Sequence, residues 1–307
     1  MTVSVIIATM NRPADLQKAL GSLLAQSLIP REVLIVDQST DALTREVTER
    51  MAPRFAARLA ELKYVYQEEK SLVRARNRGL ALVKGDLISF LDDDIVLLED
   101  YYRTLVAYLE AHPEVGAISG NTIVENKLKG PKWFLRRCLM RLFLLSNFDG
   151  RMTASGFGYP IFERQIDRVL DVEMLPGCNM HFKKKPIEGE KFDEWFTGYS
   201  YREDADFSYR ISLKTRVRMI PEALLYHYQA PSNRLDFETL KKMQIKNYHH
   251  MFEKYKKKSA ASEVLFAYSM AGLAVIDLLE FLTSGKGQKL NKFKAGVRAA
   301  FALGKKA

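Results

Sequence analysis

Across the first 120 residues, short apolar runs alternate with segments of helical periodicity, and most runs stop at a polar residue. Val3–Ala8 is apolar but for Ser4 and is halted by Asn11-Arg12-Pro13, where Pro13 suits the first turn of a helix. Leu16, Ala19, Leu20, Leu23 and Leu24 follow at helical spacing. Val33–Val36 ends at Asp37, residues 42–60 read as helix, Leu62–Tyr66 as strand and 71–83 as helix. Leu87–Leu91 is a strand that runs into Asp92-Asp93-Asp94, and a helix near 99–111 and a strand at Val115–Ser119 complete the series. Apolar strands separated by helices predict right-handed βαβ units, hence an α/β fold with a mostly parallel, Rossmann-like sheet flanked by helices. Ligands of such sheets sit beyond the carboxyl ends of the strands. Asn11, Asp37 and Asp92–Asp94 all fall there.

The next stretch, about 121–171, reads as irregular and begins with a basic and apolar piece that includes Lys127, Lys129, Lys132, Trp133, Arg136 and Arg137. Strand and turn chemistry resumes around Leu175-Pro176-Gly177-Cys178-Asn179, a helix is expected from about Asp204, and short strands near 216–220 and 223–227 follow. Beyond them, Lys254 and Lys256–Lys258 precede the 19-residue apolar stretch Val264–Leu282, interrupted by Asp277 and Glu280 and followed by Lys286, Lys289, Lys292, Lys294 and Arg298. Three readings of that stretch stay open: a core-packed helix, a helix lying against an anionic membrane surface, and a span. The two carboxylates weigh against the span.

The formal charge of +10 resides in this tail. From residue 240 onward there are 14 Lys/Arg and 4 Asp/Glu, and the first 239 residues hold 33 of each sign. No RNP-type strand or zinc-finger spacing accompanies the surplus, which argues against nucleic acid as a partner. With 47% hydrophobic and 27% charged residues the chain is not a disordered one. Cys138 and Cys178 form neither a disulfide framework nor a zinc ligand set and suit a reducing cytosol. The opening Val3-Ser4-Val5-Ile6-Ile7 has no charged leader ahead of it, so a cytoplasmic location is expected.

Three adjacent carboxylates at the end of an apolar strand repel one another unless a cation is present. Alternation puts Asp92 and Asp94 on one side and Asp93 on the other, so the first two can converge on a divalent ion. An acidic turn or helix start is the bland alternative. Glu203-Asp204 offers a carboxylate that can act as general base toward a hydroxyl, or else acidic residues of a helix's first turn. Asp206 is expected to pair locally with Arg210. His227 ends Ala223-Leu224-Leu225-Tyr226, and an imidazole there suits Mn²⁺ better than Mg²⁺, or is simply structural. No Gly-rich phosphate loop and no Ser/His/Asp elbow is present.

Taken in order, these pieces resemble the family 2 glycosyltransferases of the GT-A fold, which transfer sugar from a nucleotide donor with inversion. Val3–Arg12 looks like the opening strand and turn, Val33–Ser39 like the second strand, and Ala75-Arg76-Asn77-Arg78-Gly79 like the Ala-Arg-Asn segment. Phe90-Leu91-Asp92-Asp93-Asp94 looks like the Asp-x-Asp metal motif, with Gly85-Asp86 before it. Leu175–Asn179 resembles the acceptor-side loop, and Phe192-Asp193-Glu194 leads toward Glu203-Asp204 with Arg210 behind. The likeness covers roughly residues 2–230. It departs from the commonest pattern in the Tyr-Ser-Tyr-Arg before Glu203 and in the long 121–171 stretch, which is read as an acceptor- or membrane-facing element.

The resemblance implies a role for each residue. Thr9, Asn11, Arg12, Asp37, Arg76, Asp92 and Asp93 would bind the nucleotide, with Asp37 accepting a hydrogen bond from the base. Asp92, Asp94 and His227 would hold Mn²⁺ or Mg²⁺ on the diphosphate of a nucleotide-sugar donor. Asp204 would be the general base. Gly177, Cys178, Asn179, Trp195 and Glu203 would face the acceptor, a glycan or lipid-linked hydroxyl. The expected division is a catalytic domain over 1–235, with a nucleotide-binding half at 1–120 and an acceptor-side half at 121–235. A helical basic tail over 236–307 would be in peripheral contact with anionic membrane at its cytosolic face, or in an oligomer. The implied activity is that of a metal-dependent hexosyltransferase building a lipid-linked glycan or surface polysaccharide. A nucleotidyltransferase and a non-enzymatic nucleotide-sugar-binding scaffold subunit remain as alternatives.

Overall fold

A computed structural model of the chain describes residues 1–123, 130–162, 164–228 and 235–303; Lys127 and Lys129 of the basic piece lie outside the described residues. The chain forms two compact units, one from 1–126 with 161–230 and one from 127–160 with 231–307. The expected boundary at 235/236 is therefore only part of the division, because 127–160 joins the C-terminal helices.

The first unit is a nine-stranded mixed sheet. Its strands are β1 (Val3–Thr9), β2 (Glu32–Asp37), β3 (Glu61–Tyr66), β4 (Leu87–Leu91), β5 (Ile95–Leu97), β6 (Val115–Thr122), β7 (Leu170–Val172), β8 (Asn179–Lys183) and β9 (Arg216–His227). Its helices are α1 (Pro13–Leu24), α2 (Leu43–Ala56), α3 (Leu72–Leu82), α4 (Tyr101–Ala111) and, later in the chain, α6 (Glu203–Ser212). The strand order is β3-β2-β1-β4-β8-β6-β9-β5, with β7 also paired to β9. Strands β5, β7 and β8 run against their neighbours, and the other six share one direction. The mostly parallel α/β sheet expected from the sequence is what forms.

The apolar runs set this arrangement. β2 and β4 are buried along their whole length, and Val5, Ile7, Val33 and Ile35 pack with Leu16, Leu20 and Leu23 of α1 in one core. Each fully buried aliphatic side chain contributes about 1.5–3 kcal/mol. Inside the sheet, His181 of β8 is wholly buried between the Ser89 hydroxyl (Nδ1, 2.7 Å) and the Tyr101 hydroxyl (Nε2, 2.9 Å). Burial pushes this imidazole down to about 3, so it is neutral.

Two expectations need correction. The two short strands near 216–220 and 223–227 are one strand, β9. Its partnership with β6 shifts register between Ser119 and Asn121, and this irregularity accommodates Pro221, which has no N–H to donate; the Asn121 amide donates to the Pro221 carbonyl at 3.1 Å. The stretch 121–171 is also not wholly irregular, since it contains α5 (Pro131–Leu142) with Pro131 in its first turn. Interleaved arginines obscure its stripe in sequence, and Met140 is its one buried residue.

The second unit is helical. α5 packs with α7 (Phe237–Tyr255), α8 (Ala260–Ser284) and α9 (Gly287–Leu303) around a core including Phe157, Ile245, Tyr248, Phe252 and Phe266. Asp236 caps α7 by accepting the Glu238 and Thr239 N–H groups, both at 3.0 Å, and a Ser259–Ser262 capping box starts α8. Gly272 allows α8 to lie against Phe143, since a Cβ there would overlap that ring. The two carboxylates that interrupt the apolar stretch are neutralised within the unit. Asp277 meets Lys241 and, at 2.8 Å, Lys292; Glu280 meets Lys292 at 3.0 Å and Lys289 at 3.2 Å.

Candidate active site

The parallel strands end on one rim. Thr9 of β1 is in register with Asp37 of β2, Leu91 of β4 with Asn179 of β8, and Ile95 of β5 with His227 of β9. The β4–β5 link therefore carries Asp92–Asp94 past the start of β8 and the end of β9. The Asp92 N–H donates to the Cys178 carbonyl at 3.2 Å.

Asp92 and Asp94 face the same way and meet His227. Nε2 lies 3.1 Å from Asp94 Oδ1 and 3.9 Å from Asp92 Oδ2, and one ligand atom from each of the three lies within 4.8 Å of the others. Two carboxylate oxygens and an imidazole nitrogen, with Asp92 still a third exposed, form a donor set that fits a divalent cation of the Mn²⁺ type. Burial alone pulls His227 down, but Cys178, then Asp94 and Asp92, outweigh it and push the imidazole up to about 11. Enclosure, and the nearby charges of Asp94 and Asp204, raise Asp92 above the usual carboxylate range against the pull of Arg76 and His227.

Asp93 turns the other way, as alternation requires. It accepts the Thr9 hydroxyl at 2.6 Å and Arg12 Nη1 at 3.1 Å, while burial pushes it up to about 7. Arg12 also reaches to 3.7 Å from Asp94. Asn11 adopts the left-handed region at φ 56°, which Asn tolerates well. There its N–H donates to Ser39 Oγ at 2.8 Å and its side-chain oxygen accepts the Thr40 N–H at 2.9 Å, joining the loops after β1 and β2. Asp37 is fully buried and already engaged: Oδ1 accepts from the Ser39 N–H (2.9 Å) and hydroxyl (2.5 Å), and Oδ2 from the Tyr64 hydroxyl (2.9 Å).

Arg76 is the hub between the two sides of the site. The buried guanidinium donates to Glu203 Oε1 at 2.5 Å, to the Gly177 carbonyl at 3.0 Å and to Asp92 at 3.4 Å. It thus ties α3 to Asp92, the Gly177 loop and the start of α6. Burial, reinforced by the charge of Asp204, pushes Glu203 up to about 8 against the pull of Arg76.

Asp204 sits on the first turn of α6. Its Oδ2 accepts the Gly177 N–H at 2.9 Å and its Oδ1 accepts the Ala205 N–H at 2.7 Å. A Cβ at Gly177 would stand 3.0 Å from Asp204 Oδ2 and 3.1 Å from its Cβ, so glycine is what lets the backbone approach the carboxylate. Asp206 pairs with Arg210 at 3.2 Å, as expected.

The remaining acceptor-side candidates separate. Trp195 is exposed, on a loop held by Arg74–Glu194 at 3.0 Å. Cys178 is buried. Asn179 is not directed outward: it is wholly buried, accepting from Ser119 and donating to Cys178 Sγ at 3.3 Å. Sequence reasoning also passed over Asn77, whose amide exchanges two hydrogen bonds with the Phe192 backbone (3.0 and 2.7 Å), and Ser39 and Tyr64, which hold Asp37. Asn77 lies within the Ala-Arg-Asn segment, so its signal was there; Tyr64 gave none, being an ordinary strand residue.

The model of glycosyl transferase family 2 matches residues 4–181. The chain is 26% identical over 186 residues to the glucosyl-dolichyl phosphate glucuronosyltransferase of Haloferax volcanii, spanning 60% of this chain and 53% of that protein. To the GalNAc(5)-diNAcBac-PP-undecaprenol beta-1,3-glucosyltransferase of Campylobacter jejuni it is 25% identical over 196 residues, 64% and 56% of the two chains. It spans about half the length of these relatives. The mannosyltransferase PcManGT from Pyrobaculum calidifontis, solved in complex with GDP-Man and Mn²⁺, shares its fold with a TM-score of 0.58 over 97% of this chain and 86% of that one, at 18% identity. That likeness identifies the sheet unit as a GT-A fold. With more than half of its length matched by the family and its rim built as described, the chain belongs to glycosyl transferase family 2.

Proposed function

We propose that the chain is an inverting, metal-dependent hexosyltransferase that moves a sugar from a nucleoside diphosphate to a hydroxyl of a lipid-linked or polysaccharide acceptor at the cytosolic face of a membrane. The observation that carries this is the convergence of Asp92, Asp94 and His227 within 4.8 Å, joined through Arg76 to the loop that holds Asp204. The sheet unit is then the catalytic domain. The two relatives named above act, by their names, on a dolichyl phosphate and an undecaprenol diphosphate, which supports the lipid-linked acceptor.

Asp92, Asp94 and His227 would hold the cation. When bound, it supplies positive charge to the departing diphosphate. Asp204 takes the proton of the acceptor hydroxyl as that oxygen attacks the anomeric carbon. The bond from that carbon to the phosphate oxygen breaks on the opposite face, which inverts the centre, and the electron pair leaves with the nucleoside diphosphate. The Gly177 and Ala205 N–H groups fix the Asp204 carboxylate, and each oxygen keeps a lone pair for the proton. Asp37 and Arg12 line the nucleotide side, while Trp195 and Glu203 line the acceptor side. Calorimetry with UDP, GDP and dTDP, with and without Mn²⁺, on the intact chain and on Asp94→Ala tests this. Tight binding of one nucleotide that needs both Mn²⁺ and Asp94 is expected; metal-independent binding of all three, or none, would favour a scaffold subunit.

A further inference from the structure

Helix α8 is apolar on both faces, and its own unit covers only one. Phe266, Met270, Leu273 and Ile276 turn inward, and Asp277 on that side is tied to Lys241 and Lys292. On the opposite side stand Val264, Tyr268, Ala271, Val275 and Leu282, all exposed, with Val264 at 66% and Leu282 at 64%. At 3.6 residues per turn these five fall within about 60° of one another, in a stripe about 27 Å long. It contains no charge. A helix apolar all round belongs inside a core or in lipid, and an exposed apolar surface of this length marks a contact face.

α5 widens the stripe. The Tyr268 hydroxyl donates to the Leu142 carbonyl at 3.1 Å, and Leu142 is exposed together with Phe134 and Leu135 on the same helix.

Charge decides what covers this face. Residues 127–160 and 231–307 carry 22 Lys/Arg against 7 Asp/Glu, a surplus of 15, while the rest of the chain carries 25 against 30. Exposed Lys257 and Lys258 stand before α8, and Lys286 and Lys294 after it. Two copies, each with this surplus, would repel as their stripes met. An anionic lipid surface complements both the cations and the apolar stripe.

We infer that the α5–α8 face lies on an anionic membrane, the stripe at the acyl boundary and the flanking lysines among the headgroups. α8 does not cross the bilayer, because its inner face is committed to the ion-paired cluster of Asp277 and Glu280. This deepens the proposed function by naming the surface that would bring the chain to a lipid-linked acceptor. Its test reads lipid binding without nucleotide, so either reading can fail alone.

The full chain is sedimented with phosphatidylcholine vesicles and with vesicles in which about a third of the lipid is phosphatidylglycerol. Binding should favour the anionic vesicles about tenfold and weaken with salt. V264Q/V275Q/L282Q should bind both vesicles at least about tenfold less, whereas K257Q/K286Q/K294Q should lose the preference for phosphatidylglycerol. Exposed Cys138, also on α5, carries an environment-sensitive dye as a readout needing no folding variant, and its emission should shift to the blue on anionic vesicles. Equal sedimentation with both vesicles, an unmoved dye, or an apolar variant that binds like wild type would overturn the inference. So would a wild-type dimer in vesicle-free ultracentrifugation that V264Q/V275Q/L282Q dissolves, for then a second copy is the occupant.

Discussion

Arg76 and Glu203 stand 127 positions apart in the chain and meet at 2.5 Å, both buried, with the Gly177 carbonyl and Asp92 on the same guanidinium. One side chain therefore registers the helix after β3 against the helix that carries Asp204. Its planar fork suits this better than a lysine's single point of charge.

Replacing Arg76 with Gln removes the donor shared by Glu203, the Gly177 carbonyl and Asp92 and leaves buried acceptors unpaired, which should destabilise the fold by about 1–3 kcal/mol, read as a lowered urea midpoint. R76K should recover little. The double variant R76Q/E203Q should cost clearly less than the sum of R76Q and E203Q, and strict additivity would mean the pair does not interact energetically.

Binding of the proposed cation at Asp92, Asp94 and His227 should depend on pH, because His227 holds its proton tightly. With its pKa at about 11, the imidazole is protonated across the neutral range, and a cation that uses Nε2 must expel that proton. Mn²⁺ affinity should therefore rise with pH, by at most about tenfold per unit for one proton released. Titrations in buffers of different ionisation enthalpy count the protons. His227→Asn should flatten the dependence, and an unchanged slope in that variant would place the proton elsewhere.

Gly177→Ala should fold but transfer sugar poorly. The added carbon at 3.0 Å from Asp204 Oδ2 requires the loop or the carboxylate to give by a few tenths of an ångström, and since a full ångström at a reacting group costs about 10²-fold, a loss of about threefold to tenfold is expected. The expected signature is a fall in kcat with nucleotide affinity and melting temperature nearly unchanged. A loss of nucleotide affinity instead would move Gly177 to the donor side.

His181 sets part of the acid limit of stability. It stays neutral in the fold down to about pH 3, whereas in the unfolded chain it takes a proton near pH 6.5. Its contribution is therefore complete above about pH 6.5 and falls as the pH drops below that, by up to about 1.4 kcal/mol per unit. The raised carboxyls of Asp93 and Glu203 act with the opposite sign. For that reason the test is the difference between wild type and His181→Gln in urea midpoints at pH 7 and pH 5, which should shrink at the lower pH.

The sheet half of the fold was legible because its information is local. Each strand is a short apolar run with a polar stop, and the period-two alternation alone separates Asp93 from Asp92 and Asp94. What was hidden depends on partners far along the chain. Asn179 reads as a loop-end amide, yet Ser119 draws it inward. Arg76 reads as a nucleotide ligand, and nothing near it in the chain foretells its bonds to Glu203, Gly177 and Asp92. Helix α5 escaped because almost none of it is buried, so its arginines mask the apolar face that packs on α8. The neutralisation of Asp277 and Glu280 was likewise invisible, since Lys241 comes from α7 and Lys289 and Lys292 from α9.

Strand β8 lies between β4 and β6, although the chain emerges from the ribosome with β4 complete at Leu91 and β8 beginning only at Asn179. For the synthesis of nearly ninety residues, the edge of β4 waits without its neighbour, and Phe90 and Leu91 wait with it. Pairings of such sequence distance are slow, and an open apolar edge invites association with other chains. A chain stopped short of β8 would thus be a sheet missing its centre and not a smaller enzyme. Yield in recombinant synthesis should respond to slower translation and lower temperature more than to changes on the finished surface.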